Sequence, residues 1–324
     1  RRGLEGENRV LIEQALARTH TLPKLEGRAA LQQTNLIAKT WLVLAFLSFS
    51  QGDSTRAVFA TRKCAQLARQ TGDKSLLARA LGFEYSSKMA LGDPVDVDTI
   101  LNEGLVAARE SGEPFANGML LGMVGTRMMM VGQDLETAQS YIEQGLALLK
   151  ESDNRWGFTM ILLSMAIALK YMHRFAEARS NLAICFPIFQ EMGDRHRVNM
   201  VKSELAHMER EEGHYETAEQ MYRGTIMEWQ RLGHRAAVAH QLECLAFLAK
   251  VQENGEHAAT LFGAAEALRE QIEISMTVVE RVEYDREVAD LRAGMDKSAF
   301  ESAWTQGRAM TMDEAIGYAL HGQI

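Results

Sequence analysis

The chain has 324 residues, with 43 acidic against 35 basic side chains and a formal net charge of −8 at pH 7. This balance argues against a generic nucleic-acid-binding protein, because phosphate contacts need clustered lysine and arginine. Hydrophobic residues make up 47% of the chain, yet no apolar run reaches the length of a membrane span or has signal-peptide flanks. The three cysteines are odd in number and follow no metal or disulfide spacing, so we expect reduced thiols and a cytoplasmic protein.

The first predicted element is a helix over residues 5–19, which has the pattern of the second helix of a truncated pair. Residues 1–34 are therefore assigned to a partial N-terminal repeat with an entry helix. Because the chain opens inside a repeat and begins with Arg1, we expect an excised or processed piece of a longer protein.

An alanine-like residue then recurs at intervals of 40, 41, 40, 40 and 40 residues. The six positions are Ala57, Val97, Ala138, Ala178, Ala218 and Ala258. A fixed period of this length is typical of stacked helical hairpins. The sequence predicts an all-α, right-handed α-solenoid of about six tetratricopeptide-like helix pairs over residues 35–271, with no sheet.

Small residues and glycines keep the same period. One small-residue series is Ala45, Tyr85, Gly125, Ala166, Ala206 and Ala246, in which Tyr85 breaks the pattern and predicts a local distortion of the second repeat. The other series is Cys64, Gly104, Gly145, Cys185, Thr225 and Ala265. Small side chains at helix crossings let the two axes approach closely, which gives Cys64 and Cys185 a packing role. Glycines end most helices, and His173, Glu253 and the Asp153–Asn154 pair stand at positions where other repeats have glycine.

The C-terminal residues 272–324 depart from the period and are predicted to form capping helices, which solenoids need to cover their last apolar face. Thr277 with Glu280, and Thr311 with Glu314, have capping-box spacing, and Gly294 and Gly307 are expected to end helices. An acidic set in this segment is expected to be the solvent face of a capping helix. It comprises Glu280, Glu283, Asp285, Glu287 and Asp290.

No catalytic motif is present: the chain lacks a P-loop, a Rossmann fingerprint, H-E-x-x-H and C-x-x-C. We therefore expect no enzyme activity and no cofactor. His240 and Cys244 are four residues apart on one helical face and could both touch a metal, but two ligands do not make a site, so no metal site is expected. His207 and Glu211 are expected to be a solvent-side pair.

If the first helix of each pair lines the concave side, fixed offsets from the small-residue position select a set of groove residues. The candidates are Lys39, Phe46, Phe49, Arg79, Met89, Met129, Lys170, His207, Arg210, His240, Phe247 and Lys250. Methionine suits a surface that accepts varied apolar partners, although filling an irregular core explains most of the 18 methionines equally well. Charge reversal at Arg210 and Lys250 is expected to weaken a partner without changing the melting of the chain.

The repeat resembles the tetratricopeptide class, with a longer period. The C-terminal stretches HAATLFGAAEALREQI, ERVEYDREVADLR and FESAWTQGRAMTMDEAIGYAL resemble the end of the helical-repeat region in large bacterial ATP-binding regulators of the MalT-like and AfsR-like type. The resemblance implies a sensor region that responds to an inducer or partner, with a nucleotide-binding module N-terminal to it in the parent protein. ATP binding and DNA binding would then be properties of the parent.

Two functions follow as expectations. The first is a non-catalytic signalling module that binds a peptide, a protein segment or a small inducer in its concave groove. The second is a structural scaffold or oligomerisation arm with no groove ligand. An enzyme would need a site assembled from distant repeats without any sequence motif.

Overall fold

The computed structural model describes residues 2–23, 25–93, 95–272, 276 and 278–321, and side chains from residue 9 onward except those of residues 278 and 279. All regular elements in these ranges are helical: sixteen α-helices and one 3-10 turn, Thr19–Thr21. The predicted all-α class is therefore confirmed. The chain divides into two compact units, Arg1–Val198 and Asn199–Ile324.

Nine of the described helices lie wholly within the first unit, and six lie wholly within the second. The first nine are α1 (Arg2–Ala17), α2 (Gly27–Ser50), α3 (Ser54–Thr71), α4 (Lys74–Ala90), α5 (Val97–Ser111), α6 (Pro114–Met130), α7 (Leu135–Glu151), α8 (Arg155–Tyr171) and α9 (Phe175–Glu191). Helix α10 (Arg195–Glu211) contains the boundary between the two residue ranges. The rest are α11 (Tyr215–Leu232), α12 (Arg235–Val251), α13 (Gly255–Ile272), α14 (Val278–Gly294), α15 (Lys297–Arg308) and α16 (Met312–His321).

The repeat period corresponds to helix pairs. The six alanine-like positions fall one in each of α3, α5, α7, α9, α11 and α13, and all six are at most 1% exposed. In the first unit each helix from α2 to α8 packs on the next one, and the first helices of successive pairs also touch. The first helices α2, α4, α6 and α8 therefore form a continuous row within that unit.

The junctions between helices have one shared backbone geometry. Eight of the predicted helix-ending glycines have positive φ, among them Gly72 at 73° and Gly233 at 75°. His173, Glu253 and Asp153 stand in the same position and take the same left-handed conformation, with φ of 55°, 61° and 51°. The interpretation that these residues replace a helix-ending glycine is thus confirmed, at a cost in strain that glycine avoids.

Close helix crossings explain the glycines of α6. A Cβ on Gly125 would lie 2.6 Å from the Ala138 carbonyl oxygen, and one on Gly118 would lie 2.9 Å from the Gly145 carbonyl oxygen. The glycines therefore let the backbones of α6 and α7 touch, as predicted. The sequence places Pro187 inside a second helix and predicts a kink there; it does lie inside α9, which continues to Glu191.

The C-terminal helices of the second unit cover its last repeat pair. Helix α15 packs on α13, and α16 contacts α11, α12 and α13. The capping box of α16 is formed, because the Thr311 backbone N–H donates to Glu314 at 2.7 Å; Thr277 lies outside the described residues. Gly294 ends α14 as expected, whereas Gly307 lies within α15, where its missing side chain lets α15 approach the backbone of α13.

The predicted boundaries at residues 34/35 and 271/272 stay predictions. Among the described residues, no helix combines the length and the apolar character that a membrane crossing requires.

Candidate functional site

One face of α12 carries most of the groove residues predicted for the second unit. His240, Glu243, Phe247 and Lys250 are spaced three or four residues apart, which places them along a single stripe of the helix. Arg210 of α10 joins this stripe, with its guanidinium carbon 5.0 Å from the centre of the Phe247 ring. We name the row formed by Arg210, His240, Phe247 and Lys250 the C-terminal groove.

Helix α14 lies against the C-terminal groove through its acidic side chains. Glu283 accepts two hydrogen bonds from Arg210, at 2.7 and 3.2 Å. Glu287 accepts from the Lys250 ammonium at 2.7 Å, and a Glu280 oxygen lies 3.9 Å from His240 Nδ1. Three carboxylates one turn apart thus meet three basic side chains on α10 and α12.

The expectation of a solvent-facing acidic set was therefore wrong for the members that meet the groove. Glu280, Glu283 and Glu287 have side chains only 28%, 34% and 21% exposed, and each faces a basic group. Asp285 and Asp290 are 63% and 62% exposed, as predicted. The difference arises because one side of α14 packs against the repeat while the other side faces solvent.

A second, more buried layer of polar groups lies beside the groove. His207, 6% exposed, has its Nδ1 atom 2.8 Å from the Tyr222 hydroxyl and 3.7 Å from Cys244 Sγ. Cys244 Sγ is also 3.8 Å from His240 Nε2. The expected solvent-side pair of His207 and Glu211 is thus wrong for His207, because its ring turns inward to Tyr222.

A buried ion pair supports this layer from α13. Arg269 donates two hydrogen bonds to Glu243, at 2.5 and 2.8 Å, and Glu243 also lies 3.3 Å from His240 Nδ1. Burial raises the pKa of Glu243, but the Arg269 guanidinium and His240 lower it more, so the carboxyl stays ionised. Burial lowers the pKa of His240, whereas Cys244 and the Glu280 carboxylate raise it, and the net shift is well upward.

Electrostatics also favours the charged form of Glu287 on α14. Burial raises the pKa of this carboxyl, but hydrogen bonds from Lys250 and Arg286 lower it further than burial raises it. Lys250 of the groove therefore stabilises the ionised form of Glu287.

The predicted groove residues of the first unit differ in exposure. Lys39, Phe46 and Arg79 are exposed, Phe49 and Met89 are half-buried, and Met129 and Lys170 are buried. Phe46 and Phe49 both contact the ring of Phe83, at centroid distances of 6.2 and 5.4 Å. Lys170 lies 4.6 Å from the centre of the Tyr171 ring. Met129 and Lys170 are thus part of the packed interior of their unit.

In the second unit the structure brings together all five predicted residues, with His207 and Phe247 buried and the other three half-buried. Sequence reasoning did not place Tyr222, Arg269, Glu283 or Glu287 in the site. The available signal was the spacing of three and four residues between the glutamates of α14, which matches the spacing of the basic stripe.

Two stretches of the chain match the family model of anaphase-promoting complex subunit 5. They are residues 29–88 and 129–212, together less than half of the chain. The match supports a helical-repeat protein and does not extend to a family assignment.

Curated relatives include proteins named as candidate HTH-type transcriptional regulators, in Mycobacterium bovis and in two strains of Mycobacterium tuberculosis. They are 37% identical to this chain over 82 residues, which is 25% of this chain and 9% of the regulators. The matched stretch is thus a small part of those proteins. Among solved structures, BtubC (BKLC) from P. vanneervenii is similar, with 16% identity, a TM-score of 0.47, and coverage of 71% of this chain and 93% of BtubC.

Proposed function

We propose that the chain is a non-catalytic protein-interaction module whose C-terminal groove binds an acidic helical segment of a partner protein. The observation that carries this proposal is the position of α14, whose carboxylates pair with Arg210 and Lys250. We therefore expect the partner segment to resemble α14, as an amphipathic helix with glutamates three to four residues apart. Helix-in-groove binding of this kind is a recurring mode of protein recognition.

Binding of a partner would require α14 to leave the groove. A tethered helix acts at an effective concentration of the order of millimolar, so it competes strongly with a free partner. The apparent affinity for a partner is lowered in proportion to the fraction of chains in which the groove is open. The module would therefore respond to a signal that releases α14, which suits a sensor role.

The parent protein that we propose is a bacterial signalling or transcription-regulating ATPase of the MalT-like or AfsR-like type. Its nucleotide-binding module would lie N-terminal to these repeats, and its inducer could be a protein, a peptide or a small molecule. The resemblance of the C-terminal motifs and the short match to candidate HTH-type regulators support this context. The repeats themselves would contact neither DNA nor a membrane.

A structural scaffold or oligomerisation arm is the second candidate. The contact between α14 and the groove also supports this function. Because α14 already pairs with the basic groups of the C-terminal groove, it could stay docked there permanently as part of the fold. In that case the outer faces of the helices would do the binding.

The two functions are separated by a peptide-binding experiment on the full chain. A fluorescein-labelled peptide with the sequence of residues 278–294 is titrated with the wild-type chain and with a Glu283→Lys/Glu287→Lys variant, and binding is followed by anisotropy. If the groove is an interaction site, the variant binds the peptide at least about tenfold more tightly, because its own α14 no longer competes. Adding Arg210→Glu/Lys250→Glu to that variant abolishes binding.

A control peptide with lysine at both glutamate positions should not bind. If the Glu283→Lys/Glu287→Lys variant binds the acidic peptide no better than the wild type, the interaction-module proposal is wrong. A defined oligomer in light scattering, together with that result, would favour the scaffold.

A further inference from the structure

Three potential metal ligands converge beside the C-terminal groove. His207 comes from α10, and His240 and Cys244 come from neighbouring turns of α12. Cys244 Sγ lies 3.7 Å from His207 Nδ1 and 3.8 Å from His240 Nε2, and all three ligand atoms lie within 4.8 Å of one another. The sequence supplied only the pair on α12; the fold adds the third group.

The two sulfur–nitrogen separations are close to those of a tetrahedral centre. Zinc–sulfur bonds of about 2.3 Å and zinc–nitrogen bonds of about 2.0 Å imply a sulfur–nitrogen separation of about 3.5 Å at a tetrahedral angle. The two observed separations exceed this value by a few tenths of an ångström at most. The two histidine nitrogens lie within 4.8 Å of each other and would have to approach to about 3.3 Å in a tetrahedral centre.

A carboxylate lies behind one of the three ligands. His240 Nδ1 is 3.3 Å from Glu243, whose two oxygens are fixed by Arg269. With the Nδ1 proton directed at this carboxylate, loss of the Nε2 proton on metal binding would leave the Nε2 lone pair toward Cys244. Metal-binding histidines usually have such a carboxylate behind them, and it contributes to metal affinity.

The surrounding charges can accommodate a dication. Arg210 is paired with Glu283, and Arg269 with Glu243, so both cations near the cluster have a carboxylate partner. The Glu280 carboxylate lies 3.9 Å from His240 Nδ1, and a metal-bound Cys244 would add the negative charge of a thiolate. His240 has a side chain 28% exposed, which gives an ion a route from solvent to the otherwise buried cluster.

We propose that His207, His240 and Cys244 bind a borderline-soft divalent metal ion of the zinc class. Two imidazoles and a thiolate select such ions over magnesium or calcium, which prefer oxygen ligands. Metal binding at His207 Nδ1 would replace the 2.8 Å hydrogen bond between this atom and the Tyr222 hydroxyl. The metal would tie two successive helix pairs together, independently of any partner bound by the groove.

The test uses the full chain after removal of metal by a chelator. Calorimetry with Zn²⁺ should give one ion per chain. Co²⁺, used as a spectroscopic substitute, should produce a thiolate-to-metal charge-transfer band. Cys244→Ser should remove that band, and His240→Gln should weaken Zn²⁺ binding at least about tenfold.

The matched control is Cys64→Ala/Cys185→Ala, because alanine occupies the equivalent position in the sixth repeat. This control should bind both metals as the wild type does. Circular dichroism establishes that each variant is folded; if Cys244→Ser unfolds, His240→Gln, at a partly exposed position, decides the outcome. No one-to-one uptake of Zn²⁺, or a Co²⁺ band unchanged by loss of Cys244 or His240, overturns the proposal. No peptide is present in these titrations, so their result does not depend on the proposed function.

Discussion

Reversing the charges of the C-terminal groove should release α14. In an Arg210→Glu/Lys250→Glu variant, the two groove cations that pair with Glu283 and Glu287 become carboxylates. The structure therefore revises the expectation that this change leaves melting unaffected, since these residues contribute to intramolecular packing. We expect a loss of stability confined to the second unit.

The size of the effect can be worked out from the contacts. Each ion pair is partly exposed and contributes about 1 kcal/mol, and the Arg210–Phe247 cation–π contact contributes about as much. Replacing attraction by like-charge repulsion adds a similar amount for each pair. The docking free energy of α14 should thus fall by about 3 to 5 kcal/mol.

Native-state hydrogen exchange is the suitable assay, because helical-repeat proteins open locally and a global melt averages over both units. With a factor of ten for every 1.4 kcal/mol, amides of α14 that open by undocking should exchange at least about a hundredfold faster in the variant. A charge swap, Arg210→Glu with Glu283→Arg, should restore part of the protection. Salt of about 1 M should weaken protection in the wild type, because exposed charges are then screened within about 3 Å.

The control is Lys202→Glu/Arg231→Glu, which changes the net charge equally at two exposed positions of the same unit. Its α14 amides should exchange as in the wild type. Unchanged exchange in the groove variant, or an equal acceleration in the control, would refute the reasoning that charge complementarity holds α14 in place.

Three further outcomes are expected. Gly307→Ala should lower stability by about 1–3 kcal/mol or more, because a Cβ there overlaps the Thr260 carbonyl oxygen; thermal unfolding measures this. Glu253→Gly should raise stability by up to about 1 kcal/mol, because glycine removes the strain of a φ of 61°; urea unfolding measures this. The hydrogen bond from Lys250 helps to lower the pKa of Glu287 in the folded chain. The stability that Glu287 contributes is therefore fully present above the ordinary glutamate pKa of about 4.3 and is lost as pH falls through the lower folded pKa. Unfolding midpoints measured across this pH range should decline accordingly.

Each of these has an internal control. Gly317 of α16 has no heavy atom within 4 Å of a built Cβ, so Gly317→Ala should be neutral or stabilising. Glu256→Gly, at an exposed position in the first turn of α13, should destabilise where Glu253→Gly stabilises. Glu287→Gln should flatten the acid-induced decline; an identical decline in this variant would assign it to other groups.

The repeat architecture could be predicted because its determinants are local and recur. A small residue at each crossing and a left-handed residue at each junction are requirements that every pair meets separately. His173 and Glu253 are the clearest cases, since their position alone predicted a backbone conformation that their residue type does not favour.

The site was predicted only in part, because it depends on contacts between distant segments. Arg210 and Glu283 are 73 residues apart, and their pairing depends on the direction in which the chain returns after α13. His207 follows the small residue Ala206 by one position, whereas His240 precedes Ala246 by six, so equal offsets along the repeat do not bring them together. Adjacent helices cross at an angle, and unlike offsets can then meet.

The burial of all three native cysteines has a practical consequence for labelling chemistry. Burial raises the pKa of Cys64 to about 12 and that of Cys185 to about 11, so both stay as unreactive thiols at neutral pH. Val282 on α14 is 66% exposed, and a cysteine introduced there would be attacked first by a thiol reagent. A single fluorophore at that position would allow movement of α14 to be followed without removing any cysteine from the natural sequence.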